Sequence, residues 1–247
     1  RAEHESILGK GVYNKHTDGS PVIHASMRTI NMTMRPKSAL WTLSADTDFI
    51  EWFEHEKINY DVITEDLLEK EGAELLNRYR VVMTGNHNEY QSWNMMKAYR
   101  QYLDQGGRLM YMGGNGFHVP SPFHKEVPGV IEVRKSKQLR DHESFNEFDG
   151  FSGLRFREVG HVANLLVGVS TNYPHPFTAG TYYRRRPEAS DPRVQFIFED
   201  IKDDIIGYFG KSGGGAVSEE CDGADYSKGT PEHALIVARS ENMVWPM

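Results

Sequence analysis

His87-Asn88-Glu89 follows the apolar run Arg80–Thr84 (RVVMT). Side chains two apart in extended backbone leave the same face. An imidazole and a carboxylate at that spacing can therefore address one ligand, as a general acid–base pair or as metal ligands. A second reading is open, in which Glu89 places negative charge at the N-terminus of the following helix. Asn115 stands in Gly113-Gly114-Asn115-Gly116, directly after the run Arg108–Met112 (RLMYM). An amide on such a turn is a hydrogen-bond donor or orienter for developing negative charge. The glycines could also cradle an anion, but no helix pattern opens behind them, which disfavours a P-loop.

Two further blocks carry polar chemistry. Gly213-Gly214-Gly215 leads into Ala216-Val217-Ser218-Glu219-Glu220-Cys221-Asp222. One reading is a loop with solvated carboxylates; the other makes Glu220 a catalytic carboxylate on a loop whose glycines permit close backbone approach. Tyr13 heads Tyr13-Asn14-Lys15-His16-Thr17-Asp18-Gly19-Ser20. A tyrosinate is a hard oxygen ligand for ferric iron, although a lone tyrosine more commonly packs at a core edge. Cys221 has no histidine beside it in sequence and reads as a small packed residue rather than a nucleophile.

The elements that must position these residues follow from periodicity. Between the two apolar runs, Ser92, Met95, Met96, Tyr99, Tyr102 and Leu103 recur at helical spacing. Strand, helix, strand of this length is a βαβ unit with a parallel sheet. Ligands bind outside the carboxyl ends of such strands, so His87, Glu89 and Asn115 should meet at one mouth. Upstream, Asp46 is a candidate N-cap for a helix through His55, with Phe49, Ile50 and Phe53 inward. Residues 59–64 (NYDVIT) read as a strand, and Glu65–Asn77 as a helix interrupted at Gly72. The alternation indicates a doubly wound α/β fold, an open and mostly parallel sheet with helices on both faces. After Pro120 the runs 131–135, 164–170, 194–199 and 233–238 read as strands of a β-rich extension, separated by long loops at 171–193 and 207–230. Residues 1–40 read as an irregular N-terminal arm carrying part of the site, and 41–247 as the α/β domain. The chain opens without Met and closes on Trp245-Pro246-Met247, so it reads as a piece of a longer polypeptide.

Composition narrows the partners. A net charge of −7 over 247 residues argues against nucleic acid. Arg184-Arg185-Arg186, the one basic run, reads as a solvated loop. No apolar run approaches the ~20 residues that span a bilayer. One cysteine cannot form an internal disulfide, which fits a reducing, cytoplasmic setting.

Eight blocks, from VYNKHTDGS (12–20) and NMTMRPK (31–37) through YDVITEDLL (60–68), TGNHNEY (84–90), GGRLMYMGGNGF (106–117), PGVIEVR (128–134) and YRRRPEASDPRVQFIFE (183–199) to GGGAVSEECDGAD (213–225), resemble the large subunit of N,N-dimethylformamidase. The likeness spans nearly the whole chain in the same order and covers that subunit's later, class I glutamine-amidotransferase-like (flavodoxin-like) part. In amidotransferases a nucleophilic Cys occupies the turn where Asn115 stands here. The resemblance implies a mononuclear iron amidohydrolase, with Fe3+ the expected state, cleaving small formamides to amine plus formate. It implies Tyr13 and Glu89 as metal ligands, a second tyrosine ligand ahead of Ala2, and His87, Asn115 and Glu220 as catalytic residues, with Glu219 the substitute for Glu220. It also implies a small accessory subunit and a homo-oligomer as partners. The missing Cys and the incomplete ligand set leave an alternative: a non-catalytic amidotransferase-like module that binds a ligand or docks a subunit.

Overall fold

A computed structural model describes residues 11–28, 43–134, 145–171, 181–209, 215–217 and 220–241. The packed centre lies between the two apolar runs. β2 (Val81–Met83) pairs in parallel with β4 (Arg108–Met110), Val82 opposite Leu109. Between them runs α4 (Trp93–Asp104), started by Ser92, whose hydroxyl accepts the Met95 N–H at 3.0 Å. Met95, Ala98, Tyr99 and Tyr102 form its buried stripe. They pack with Leu68, Leu75, Leu76, Val82 and Phe117 into one apolar core. Helices α2 (Glu65–Glu71) and α3 (Ala73–Leu76) supply the leucines. Gly72, at φ +62°, breaks the run as its position suggests.

The same two segments pair twice. Past their glycine and polar loops they meet again as β3 (Tyr90–Gln91) and β5 (Val119–Pro120), also parallel. The 84–89 and 111–118 loops therefore bulge between two pinned ends. After β5 the chain turns back as β6 (Val130–Glu132), which pairs antiparallel with β1 (His24–Ser26). The described part of the N-terminal arm is thus more ordered than the irregular segment expected: a turn bridged from Lys15 to Pro21 precedes a real strand. Asp18 builds that turn, accepting the Ser20 N–H at 2.9 Å and hydroxyl at 2.7 Å. These bonds hold its carboxyl below the ordinary range.

Several expectations are corrected. Asp46 is not an N-cap, because α1 (Leu43–Glu56) already includes it in its first turn. Residues 59–64 form no strand; Ile63 packs on the helical core without a β partner there. Residues 164–167 are a one-turn helix, α5 (Asn164–Val167), ended by Gly168 at φ +80°, and only Ser170–Thr171 is strand, β7. Gln195–Phe198 is a 3-10 turn that leaves Phe196 and Ile197 exposed. In the last expected strand only Ala238 belongs to the observed one, β11 (Ala238–Ser240). The Arg184–Arg186 run is no solvated loop either. Arg184 and Arg185 lie in β8 (Tyr183–Arg185), between β11 and β9 (Ile205–Ile206), and Arg184 Nε meets Glu241 Oε2 at 2.6 Å. Finally β10 (Asp222–Gly223) pairs antiparallel with β7, inside a segment expected to be loop.

Among the described residues, strands pair in twos and threes rather than in one wide sheet. Two parallel pairs joined through a crossover helix are the observed part of the expected α/β architecture, and the wider amidotransferase-like sheet remains our proposal for the family fold. No described helix is long and apolar enough to cross a membrane.

Candidate functional site

The bulged loops are held at close quarters. Asp46 Oδ1 accepts the Asn86 N–H at 2.7 Å and the Asn86 side-chain amide at 2.8 Å, so α1 fixes the loop that presents His87. Two glycines on the facing loop are required by space. A Cβ on Gly113 would stand 2.4 Å from the Asn86 carbonyl oxygen, and one on Gly114 only 1.8 Å from that of Glu220. The Gly113–Gly116 turn thus touches both the His87 loop and the acidic loop. Asn115 and Glu220 both sit in the left-handed region, at φ +54° and +55°. Asn tolerates this conformation, whereas for Glu it costs about 1–2 kcal/mol. Such strain concentrates at functional sites, where surrounding structure enforces it.

His87 is the hub. Its Nε2 lies 3.3 Å from Glu89 Oε2 and 3.2 Å from Glu220 Oε2, with the His87 and Glu89 side chains only 13% and 5% exposed. A ring nitrogen facing two carboxylates is the protonated, donating one. Glu89 extends the chain of contacts to Tyr90, whose hydroxyl bonds both the Glu89 carboxylate and Tyr13. The Tyr13 and Tyr90 oxygens are 2.8 Å apart, although Tyr13 as a residue is 71% exposed. Burial, then the Glu89 charge, pushes the Tyr90 phenol well above its ordinary range. It is therefore a donor at neutral pH.

Asn115 is fixed from behind. Its N–H donates to Asp222 Oδ1 at 2.8 Å, and the Thr171 hydroxyl lies 2.8 Å from that same oxygen and 3.0 Å from Asn115 Oδ1. Tyr111 donates to Asp222 Oδ2 at 2.6 Å while accepting the Gly116 N–H at 2.8 Å. Burial, then Asp222, pushes the Tyr111 phenol up, so it stays a donor. The Thr171 hydroxyl lies beside the acceptor end of the Asn115 amide, and Nδ2 is the end that can donate to an incoming oxygen.

The structure joins Tyr13, Glu89, His87 and Glu220 through successive contacts, and packs the turn carrying Asn115 against the backbone of Glu220. Glu219 lies outside the described residues. Cys221 is half-buried between Glu220 and Asp222. Sequence reasoning missed Tyr90 and Asp222. A tyrosine next to Glu89 was the available signal for the first; nothing in the acidic run singled out the second. Among the described residues no group of three or more His, Cys, Asp or Glu could hold a metal. The oxygens of Tyr13 and Glu89, bridged by the Tyr90 hydroxyl, are hard donors of the kind that suits ferric iron. An apolar hollow of about 410 Å³ lined by Leu103, Leu109, Leu166, Pro231 and Ala234 shares with this network only Tyr111, and offers no acid–base group.

A family model described as N,N-dimethylformamidase beta subunit-like, C-terminal, matches residues 5–245. The N,N-dimethylformamidase beta subunit of Alcaligenes sp is 37% identical over 246 residues, covering 95% of this chain and 32% of that protein. The beta subunit from Paracoccus aminophilus is 36% identical over 243 residues, covering 94% and 32%. The chain therefore spans about a third of the length of the curated relatives it matches. It belongs to the family of the C-terminal region of the N,N-dimethylformamidase beta subunit.

Proposed function

We propose that this chain carries the catalytic centre of an iron-dependent amidohydrolase that cleaves small formamides such as N,N-dimethylformamide to amine plus formate. The observation that carries the reading is His87 Nε2 within 3.3 Å of both Glu89 and Glu220. That places two carboxylates and one imidazole where a proton can be passed among them. The family's name supplies the substrate class.

Tyr13 and Glu89 would hold the iron, which supplies Lewis acidity toward an amide carbonyl when bound. The remaining chemistry is the chain's own. Glu220 takes a proton from the attacking water as general base. The Nε2–H of His87 goes to the departing nitrogen, and His87 recovers a proton from Glu220. Water and amide are consumed, and amine and carboxylic acid leave with protons balanced. Asn115 Nδ2 donates to the oxygen on which negative charge develops, a contribution worth about 3 kcal/mol in comparable sites. The relatives are named as beta subunits, and we propose a small accessory subunit and a homo-oligomer as the working assembly.

Full-length protein with any co-purifying subunit tests the reading. Iron by elemental analysis, together with formate released from N,N-dimethylformamide, is the expected result. Glu89→Ala should lose both metal and turnover. Protein devoid of iron and inert toward every small amide would leave the proposal without support.

A further inference from the structure

We infer that Asp222 is a positioning residue that locks Asn115 and the Glu220 segment into one catalytic arrangement. This rests on the amide-hydrolysis reading for its kinetic consequence, and on geometry alone for the anchoring.

Three donors converge on one carboxylate. The Asn115 N–H and the Thr171 hydroxyl reach Oδ1 at 2.8 Å each, and the Tyr111 hydroxyl reaches Oδ2 at 2.6 Å. These donors come from three places in the fold: the glycine turn after β4, strand β7, and the residue that continues β4 itself. Asp222 is two residues from Glu220, so the carboxylate that fixes Asn115 also fixes where Glu220 begins. The register is pinned from the other side, because Asp222 lies opposite Thr171 in the β7–β10 pair. Buried Asn164 secures that pair through Ser170 Oγ and through Thr230 Oγ1 at 3.0 Å. Thr230 in turn donates to the Gly168 carbonyl at 2.6 Å.

Both anchored residues need an anchor. Asn115 and Glu220 are in left-handed backbone conformations, and the Gly114 contact with the Glu220 carbonyl leaves no slack between the segments. Asn in place of Asp222 preserves size but presents an amide N–H where an acceptor is required. Tyr111 cannot turn to relieve it without giving up the bond it accepts from Gly116. A displacement near 1 Å at a reacting group can cost about 10²-fold in rate.

The test uses the full chain with its subunits. Asp222→Asn should lower kcat on N,N-dimethylformamide by about 10²-fold, with KM changed less than ~3-fold, and iron content retained. Adding Asn115→Ala to Asp222→Asn should cost little more than Asp222→Asn alone, since the first change has already displaced that amide. A general structural defect would instead give multiplying losses. Tyr111→Phe removes one of the three donors to Asp222, together with the acceptor of the Gly116 N–H, and should cost about 3- to 10-fold, which keeps the inference testable if Asp222→Asn folds poorly. Hydrogen exchange of the 113–117 and 220–223 amides should speed up in Asp222→Asn whether or not the substrate class is right. Wild-type kcat in Asp222→Asn, multiplying losses, or unchanged exchange would overturn the inference. Inert wild-type protein with faster exchange in the variant would sink the substrate reading and keep the anchoring.

Discussion

The parallel unit between Ile63 and Val119 and the later region between Thr181 and Glu241 build their parts of the site by opposite means. The first is organised by burial: Leu68, Leu75, Leu76, Met95, Tyr99, Tyr102 and Phe117 close one apolar core beneath the loops that carry His87, Glu89 and Asn115. In the second, few apolar side chains among the described residues are buried, Ala189, Phe198 and Val217 among them, while Phe196, Ile197, Tyr208 and Phe209 are exposed. It is held by short strand pairs and polar anchors, and it brings Glu220 to His87 through Asp222 and the Gly114 contact. A core can hold a loop at its two ends. It cannot by itself hold a strained residue on a segment with little core of its own, and hydrogen bonds to the half-buried Asp222 carboxylate do that instead.

The largest effect should come from the seam between the regions. Gly114→Ala would put a methyl carbon 1.8 Å from the Glu220 carbonyl oxygen, so the acidic segment must back away. Turnover should fall at least about 10²-fold. The melting transition, dominated by the helical core, should move little. Steady-state kinetics beside calorimetry checks both halves, and wild-type turnover would show that the seam is not needed.

The converse substitution lies in the core. Leu75 is 1% exposed, and Leu75→Ala should cost about 2–5 kcal/mol through lost transfer and an unfilled cavity. Activity per folded molecule should survive below the new transition, because none of Tyr13, His87, Glu89, Asn115 and Glu220 belongs to the apolar cluster that holds Leu75. Denaturant unfolding with activity measured alongside is the check. Equal loss of stability and of kcat would mean the two regions are not separable.

How legible this division was depends on the kind of order. α4 was readable because Met95, Tyr99 and Tyr102 repeat at helical spacing behind a capping Ser92, and burial enforces that pattern. The i, i+2 logic likewise placed His87 with Glu89. The runs at 164–170 and 194–199 misled because short apolar stretches fit strand and helix equally. Gly168 ends a helical turn in one, and Phe196 and Ile197 of the other face solvent. Asp46 looked like a cap, since an acid near a helix start has that use, yet its carboxylate serves a loop forty residues away in sequence. Asp222 was illegible for the same reason: in a run of acids, which one meets Asn115 is decided by long-range register, which spacing does not encode.

Tyr90 sharpens the comparison at a finer scale, within the core-built side. Its hydroxyl is 2.8 Å from that of Tyr13. If Tyr13 ligates ferric iron as proposed, that hydrogen bond weakens the phenolate as a donor. Tyr90→Phe should retain the metal and shift the iron–phenolate absorption to longer wavelength, with turnover changed about 3- to 10-fold. An unaltered spectrum would remove Tyr90 from the site.

The smallest effect concerns a part-buried acid–amide contact under the core side. Glu65 as a residue stands exposed on the first turn of α2, but its carboxylate reaches the fully buried Gln91 amide at 3.0 Å. Burial pushes the Glu65 carboxyl pKa up, with Gln91 pulling it partly back. A carboxyl whose folded pKa exceeds its unfolded value contributes its stability fully below the unfolded value, about 4.3, and loses it as pH rises through the folded one. At pH 7 the charge is therefore a burden that Glu65→Gln removes. Tm at pH 7 should rise by about 1–3 °C, and the difference from wild type should shrink or reverse by pH 4. Glu65→Gln keeps an acceptor for the Gln91 amide, so the site-bearing segment stays in place and kcat should stay at the wild-type value at both pH values. A Tm difference that does not change with pH would show that Glu65 is ionised without penalty, and that this side of the molecule tolerates charge as readily as the hydrogen-bonded one.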